Sequence, residues 1–168
     1  MDWLTLHELN FPCFLMAKFK KILLMLFLYA AFANAQEITM EYTLDYINSK
    51  LGPCCSIEVK KGILTAVYHE KGQLVREDNV NIADLDISSI RYDDINKMLV
   101  INCKGAPAKK CVNRDIPAYG SKGVYRPYAR ISWEVYLAPE KAAALEKAFA
   151  FMIRKVLDPK YNLTTPFE

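Results

Sequence analysis

Apolar residues recur at helical spacing in the second quarter of the chain. From Thr39 to Leu51, Met40, Leu44, Ile47 and Leu51 stand 4, 3 and 4 positions apart, which predicts one buried helical stripe. Thr39 offers a capping hydroxyl, and Gly52-Pro53 stops the helix. Over residues 56–137 the period drops to two. Ile57 and Val59 alternate with Glu58 and Lys60, and Lys61-Gly62 and Glu70-Lys71-Gly72 punctuate the β-rich runs "ILTAVYH" and "QLVRE". "NVNIADLDISSIRYD" places Val80, Ile82, Leu85, Ile87 and Ile90 in two short runs, "DINK" turns into "MLVINC", and "YARISWEVYL" reads as the last strand. There Ala129, Ile131, Trp133 and Val135 share one face, with Arg130, Ser132, Glu134 and Tyr136 on the other. From Pro139 to Val156 the helical period returns, with Ala142, Leu145, Phe149, Met152 and Val156 as its stripe. Pro139 opens this helix (139–157), Asp158-Pro159 ends it, and the tail reads as irregular. The expected fold class is α+β: an antiparallel meander of six or seven strands between a short N-terminal helix and a C-terminal amphipathic helix.

The N-terminus changes where this domain is expected to reside. Lys18, Lys20 and Lys21 precede the apolar run Ile22 to Ala33, and Ala33-Asn34-Ala35 follows, the three-part pattern of a cleavable signal peptide. Cleavage is expected after Ala35, with release to the periplasm or the exterior. "MDWLTLHELNFPCFL" suits a signal n-region poorly, so Met16 is the expected translation start. Removing residues 1–35 from the 168 leaves 133, the size of one domain, 36–168. The mature chain keeps 19 of the 22 Lys and Arg and 17 of the 19 Asp and Glu, a net charge of +2, which argues against a nucleic-acid partner.

This order of periods, with "VNIADLDISSIRYDDINKMLVINC" as strand, turn, strand and hairpin, resembles the pleckstrin-homology-like (PH-like, GRAM-like) superfold over residues 56–157. The resemblance implies a partial barrel closed by the C-terminal helix, as in small exported bacterial proteins of unassigned activity. The helix ahead of the first strand departs from it. The superfold hosts lipid binding, peptide binding and scaffolding, so it implies no single activity.

Candidate chemistry is sparse. The mature chain has one histidine, His69, in "VYHEKG", and no nucleophile motif accompanies it. Asp84 with Asp86 and Asp93 with Asp94 lack calcium-loop spacing, and the second pair precedes Asn96-Lys97 in an expected turn. No metal or cofactor is expected. The segment Asn113 to Arg130 concentrates tyrosine and arginine, and Tyr119, Lys122, Tyr125, Arg126, Tyr128 and Arg130 are the candidate binding residues. The expected function is therefore a non-enzymatic exported domain that engages a ligand or protein partner through surface loops, an anionic or peptide ligand above all. The alternatives are a hydrolase using His69 and a membrane-surface binder using Lys60, Lys61, Lys109 and Lys110. Oligomeric state stays open.

Export also sets the reading of the thiols. Cys54, Cys55, Cys103 and Cys111 form an even set in an oxidising compartment. Cys103 and Cys111 flank "KGAPAKK" and are expected to form a disulfide across neighbouring strands, leaving Cys54 and Cys55 as a vicinal bond or as partly free thiols; the alternative, in which each of the adjacent pair reaches one of the distant pair, is made harder by their opposite side-chain directions.

Overall fold

The computed structural model describes residues 37–117, 123–163 and 165–167. The expected signal peptide and its cleavage site lie outside them, as do Tyr119 and Lys122. The order of elements is α1 (Met40–Leu51), β1 (Cys55–Lys60), β2 (Ile63–Glu70), β3 (Gln73–Asn81), two 3-10 turns (Ile82–Asp84 and Ile87–Ser89), β4 (Arg91–Asp93), β5 (Met98–Asn102), β6 (Val112–Asp115), β7 (Arg126–Tyr128), β8 (Arg130–Glu134) and α2 (Pro139–Leu157). The class is α+β with antiparallel pairing throughout.

Thr39 caps α1 as its position predicts, its hydroxyl accepting from the Tyr42 N–H at 3.0 Å. The buried face is rotated from the predicted stripe: Thr43, Tyr46, Ile47 and Leu51 are buried, while Met40 and Leu44 are only partly covered. The cause lies in the tail. Phe167 is buried and sets its ring 5.2 Å from that of Tyr46 and 5.8 Å from that of Phe151 on α2. α2 buries a face wider than the predicted stripe, adding Ala148, Phe151 and Ile153, because it meets both α1 and the sheet.

The meander expectation holds for β1 to β3 and then fails. Both early hairpins have two-residue turns, Lys61-Gly62 and Lys71-Gly72, with all four residues at positive φ, the geometry that matches the twist of the flanking strands. Beyond them the eight strands fall into two sheets, ordered β1-β2-β3-β6-β7 and β4-β5-β8. The apolar runs around Ile82 and Ile87 are 3-10 turns and not strands: Asn81 and Asp86 accept from the Ala83 and Ser88 N–H groups and close them. The expected last strand, 128–137, is divided at Ala129: Tyr128 closes β7, which pairs with β6, and Arg130–Glu134 pair with β5. Ile131, Trp133 and Val135 are buried as expected, and Ser132 is buried as well.

Cys103 and Cys111 form the expected disulfide, with Cα atoms 5.7 Å apart. It does not bridge neighbouring strands, because β5 and β6 belong to different sheets. It ties the end of one sheet to the start of the other across an interval of 8 residues, a closure worth about 2.5 kcal/mol in the chain-entropy account.

Three of the four sheet edges are met by side chains. Asn48 on α1 both accepts from the Ile57 N–H at 2.7 Å and donates to its carbonyl at 3.1 Å, as a neighbouring strand would. Glu146 on α2 accepts from the Tyr92 N–H on β4. On β8 the Ser132 carbonyl accepts from Tyr68 Oη at 3.0 Å and from Arg76 Nη2 at 3.3 Å. β7 carries Pro127, which has no N–H to offer.

Candidate functional site

Strand register sorts the core face of the larger sheet into three rows. Val59, Leu64, Val80, Val112 and Tyr128 stand opposite one another in the first; Ile57, Ala66, Asp78, Arg114 and Arg126 in the second; Cys55, Tyr68 and Arg76 in the third. The face thus runs from wholly apolar to charged. Asp78 is fully buried, and an unpaired carboxylate there would be prohibitively costly. Arg114 meets it with two parallel bonds, Nε to Oδ1 at 2.7 Å and Nη2 to Oδ2 at 2.9 Å. Arg76 meets it from the other side, through Nε at 3.0 Å to both oxygens and through Nη2.

Each guanidinium also stacks on a tyrosine. Arg76 lies 4.2 Å from the ring centroid of Tyr68, and Arg114 lies 4.2 Å from that of Tyr128. Burial opposes the Arg76 charge, yet its hydrogen bond to Asp78 and the attraction of that carboxylate hold the guanidinium above its ordinary range. Burial also pushes the Tyr68 phenol well above its usual range, so its hydroxyl stays protonated and donates to Ser132.

The cluster is unbalanced. One carboxylate holds two guanidiniums, and a third arginine, Arg126, stands directly opposite Arg114, a like-charge pairing that disfavours the ladder. Arg126 is exposed and forms no ion pair among the described residues. Two residues further along the chain, Tyr128 helps to line a hollow of about 390 Å³ between the disulfide loop and the bend at Ala129, together with Asn102, Ala106, Pro107, Ala129 and Arg130. Arg130 is likewise exposed and unpaired among the described residues. A second hollow, about 490 Å³, lies between α2 and the Ile87–Ser89 turn.

The structure divides the residues singled out in the sequence. Arg126, Tyr128 and Arg130 share the corner, with Tyr128 lining the hollow and carrying Arg114. Tyr125 belongs to the opposite face, where its hydroxyl donates to Glu77 at 3.2 Å. Tyr68, Arg76 and Asp78 were not singled out. The signal that marks them is a run of charge, "REDN", inside a segment that must pair on both sides.

Cys54 and Cys55 are both free thiols, Cys54 exposed and Cys55 half-buried, so the vicinal bond is absent. Burial pushes the Cys55 thiol up to about 12, with Arg76 pulling the other way. His69 is exposed at an irregularity in β2, its backbone N–H donating to the Cys54 carbonyl at 2.8 Å. Its imidazole has no hydrogen-bond or ion-pair partner among the described residues. Of the lysines considered for a basic face, Lys60 pairs with Glu58 and Lys109 with Asp84. Asp93 closes the β4–β5 turn by accepting from the Ile95 and Asn96 N–H groups, the role expected for it. Among the described residues no helix is long and apolar enough to cross a membrane.

Comparison with known proteins adds no relative: no family model matches the chain, and no curated protein or solved structure does either.

Proposed function

We propose that the protein is an exported, non-enzymatic binding domain whose contact surface is the corner formed by Arg126, Tyr128 and Arg130, and whose ligand is an anionic, peptide-like chain. The observation that carries the reading is the surplus of positive charge there: Arg126 and Arg130 are exposed and unpaired among the described residues on either side of Tyr128, and Arg130 lines a hollow that Tyr128 also walls. Arg76 and Arg114, by contrast, are committed to Asp78. Guanidinium groups pair bidentately with carboxylates, and tyrosine adds contact area at little entropic cost. The Cys103–Cys111 disulfide accords with export. The PH-like resemblance remains part of this proposal; it rests on strands followed by a C-terminal helix, while the N-terminal helix and the division into two sheets depart from it.

The test is fluorescence anisotropy of a labelled oligoglutamate peptide titrated with the protein, beside an oligolysine control and vesicles of anionic lipid. Each of Arg126→Ala and Arg130→Ala is expected to cost about 1 kcal/mol, so the double variant binds about 30-fold more weakly. Equal binding of oligolysine, an unaffected double variant, or binding to vesicles alone overturns the reading.

A further inference from the structure

The outer face of the larger sheet holds a second polar cluster, on residues the binding corner does not use. Glu77 on β3 stands directly opposite Asp115 on β6. Like charges facing each other across a ladder destabilise it. Among the described residues neither carboxylate takes part in an ion pair, whereas Asp78, Asp84 and Asp94 each do.

Both carboxylates are oriented in the same manner, one oxygen held by a donor and the other without a hydrogen bond among the described residues. Glu77 Oε1 accepts from Asn79 Nδ2 at 2.6 Å and from the Tyr125 hydroxyl at 3.2 Å. Asn79 is itself fixed by the Thr65 hydroxyl, which donates to its Oδ1 at 2.7 Å. Asp115 Oδ2 accepts from the Gly123 N–H at 2.8 Å. Asp115 Oδ1 is buried with no hydrogen-bond partner, on a residue only 6% exposed. Buried polar atoms are satisfied as a rule, and an orphaned one calls for an ion or a water. The Tyr125 phenol lies within the field of both acids: Glu77 chiefly, and Asp115 more weakly, hold it above its ordinary range.

We propose that Glu77, Asp115 and Tyr125 form a binding site for a hard divalent cation of the calcium class. Asp115 Oδ1 and the open oxygen of Glu77 are the charged ligands, the Tyr125 hydroxyl is a neutral one, and water completes the shell. An all-oxygen donor set selects calcium over zinc or copper. Two carboxylates place the affinity in the weak range of extracellular modules, about 10⁻⁴ to 10⁻³ M. Thr65 and Asn79 are positioning residues that aim Glu77. The bound ion relieves the cross-strand repulsion and ties the end of β6 to the residue preceding β7.

Terbium titration of the purified protein tests the site, because a tyrosine in contact with the ion sensitises its emission. The expected result is saturable tyrosine-sensitised emission that calcium displaces, with a calcium-dependent rise in the thermal midpoint. Tyr125→Phe removes most of the emission and keeps the calcium-dependent rise. Asp115→Asn and Glu77→Gln abolish both, and Asn79→Ala weakens binding about ten-fold. Far-UV circular dichroism in metal-free buffer checks that each variant is folded; should Asp115→Asn fail to fold, Asn79→Ala and Tyr125→Phe carry the test. Absence of calcium-displaceable emission from the unaltered protein, or emission undiminished in Tyr125→Phe or in folded Asp115→Asn, overturns the proposal.

Discussion

Asp78→Asn keeps the size and shape of the side chain between Arg76 and Arg114 and deletes its charge. Two guanidiniums that now share one carboxylate would then face each other across a neutral amide. Removing one partner from a buried ion pair costs about 3–5 kcal/mol. The Arg76 and Arg114 side chains retain 21% and 14% exposure, so water screens part of the repulsion, and the lower end, about 3 kcal/mol, is expected. For a domain of this size that corresponds to a fall in Tm of about 10–15 °C. Urea unfolding followed by circular dichroism measures it directly, since a lower midpoint at unchanged slope reports lost stability and not a changed unfolded state. A companion variant separates charge balance from packing: Arg76→Met, Asp78→Leu and Arg114→Met together replace the triad with apolar side chains. Such replacements are often neutral or stabilising, so the triple variant is expected to unfold well above Asp78→Asn. A loss under about 1 kcal/mol in Asp78→Asn, or a triple variant no more stable than the single one, would refute the view that Asp78 is the counter-ion of both arginines.

The two free thiols should differ in behaviour. Exposed Cys54 reacts quickly with a disulfide reagent such as DTNB, and Cys55 only slowly; two equally fast phases would contradict the burial of Cys55. The native thiol of Cys55 is raised from 9.0 to about 12, so in that interval the unfolded chain releases a proton that the native state retains. Stability therefore falls as pH rises through that window, and Cys55→Val should flatten the decline between about pH 9 and about pH 10.5 in urea midpoints. Phe167→Ala empties the contact between the tail, Tyr46 and Phe151 and is expected to cost about 3 kcal/mol in thermal unfolding; a change under about 1 kcal/mol would show the tail to be an ornament.

Both helices were legible in the sequence because each has a local cause: a capping threonine and a Gly-Pro stop for α1, a first-turn proline and an apolar stripe for α2. The hairpins were legible for the same reason, through Lys61-Gly62 and Lys71-Gly72. β3 was harder. Its core-facing positions include Arg76 and Asp78, so the apolar alternation that marks a strand is interrupted where the chain buries charge. The isoleucines after Asn81 mimic strand spacing, yet side-chain caps from Asn81 and Asp86 win locally and give 3-10 turns. Division into two sheets depends on β3 pairing with β6, which lies beyond two turns and two strands; no local pattern reports such a pairing. The candidate site follows the same rule. Arg126, Tyr128 and Arg130 fall within five residues and show in the composition of one segment. Tyr68, Arg76 and Asp78 reach the same face only after the sheet is assembled.

The side chains that meet the sheet edges bear on how any partner can be recognised. A strand from another polypeptide docks by extending a sheet, and that requires an open run of backbone N–H and C=O groups. Here Asn48 occupies both such groups of Ile57, Glu146 holds the N–H of Tyr92, the carbonyl of Ser132 is already shared by Tyr68 and Arg76, and Pro127 withholds an N–H from β7. Main-chain templating is thereby discouraged at every edge, which protects copies of the protein from stacking into fibrils. It leaves discrimination between partners to side chains.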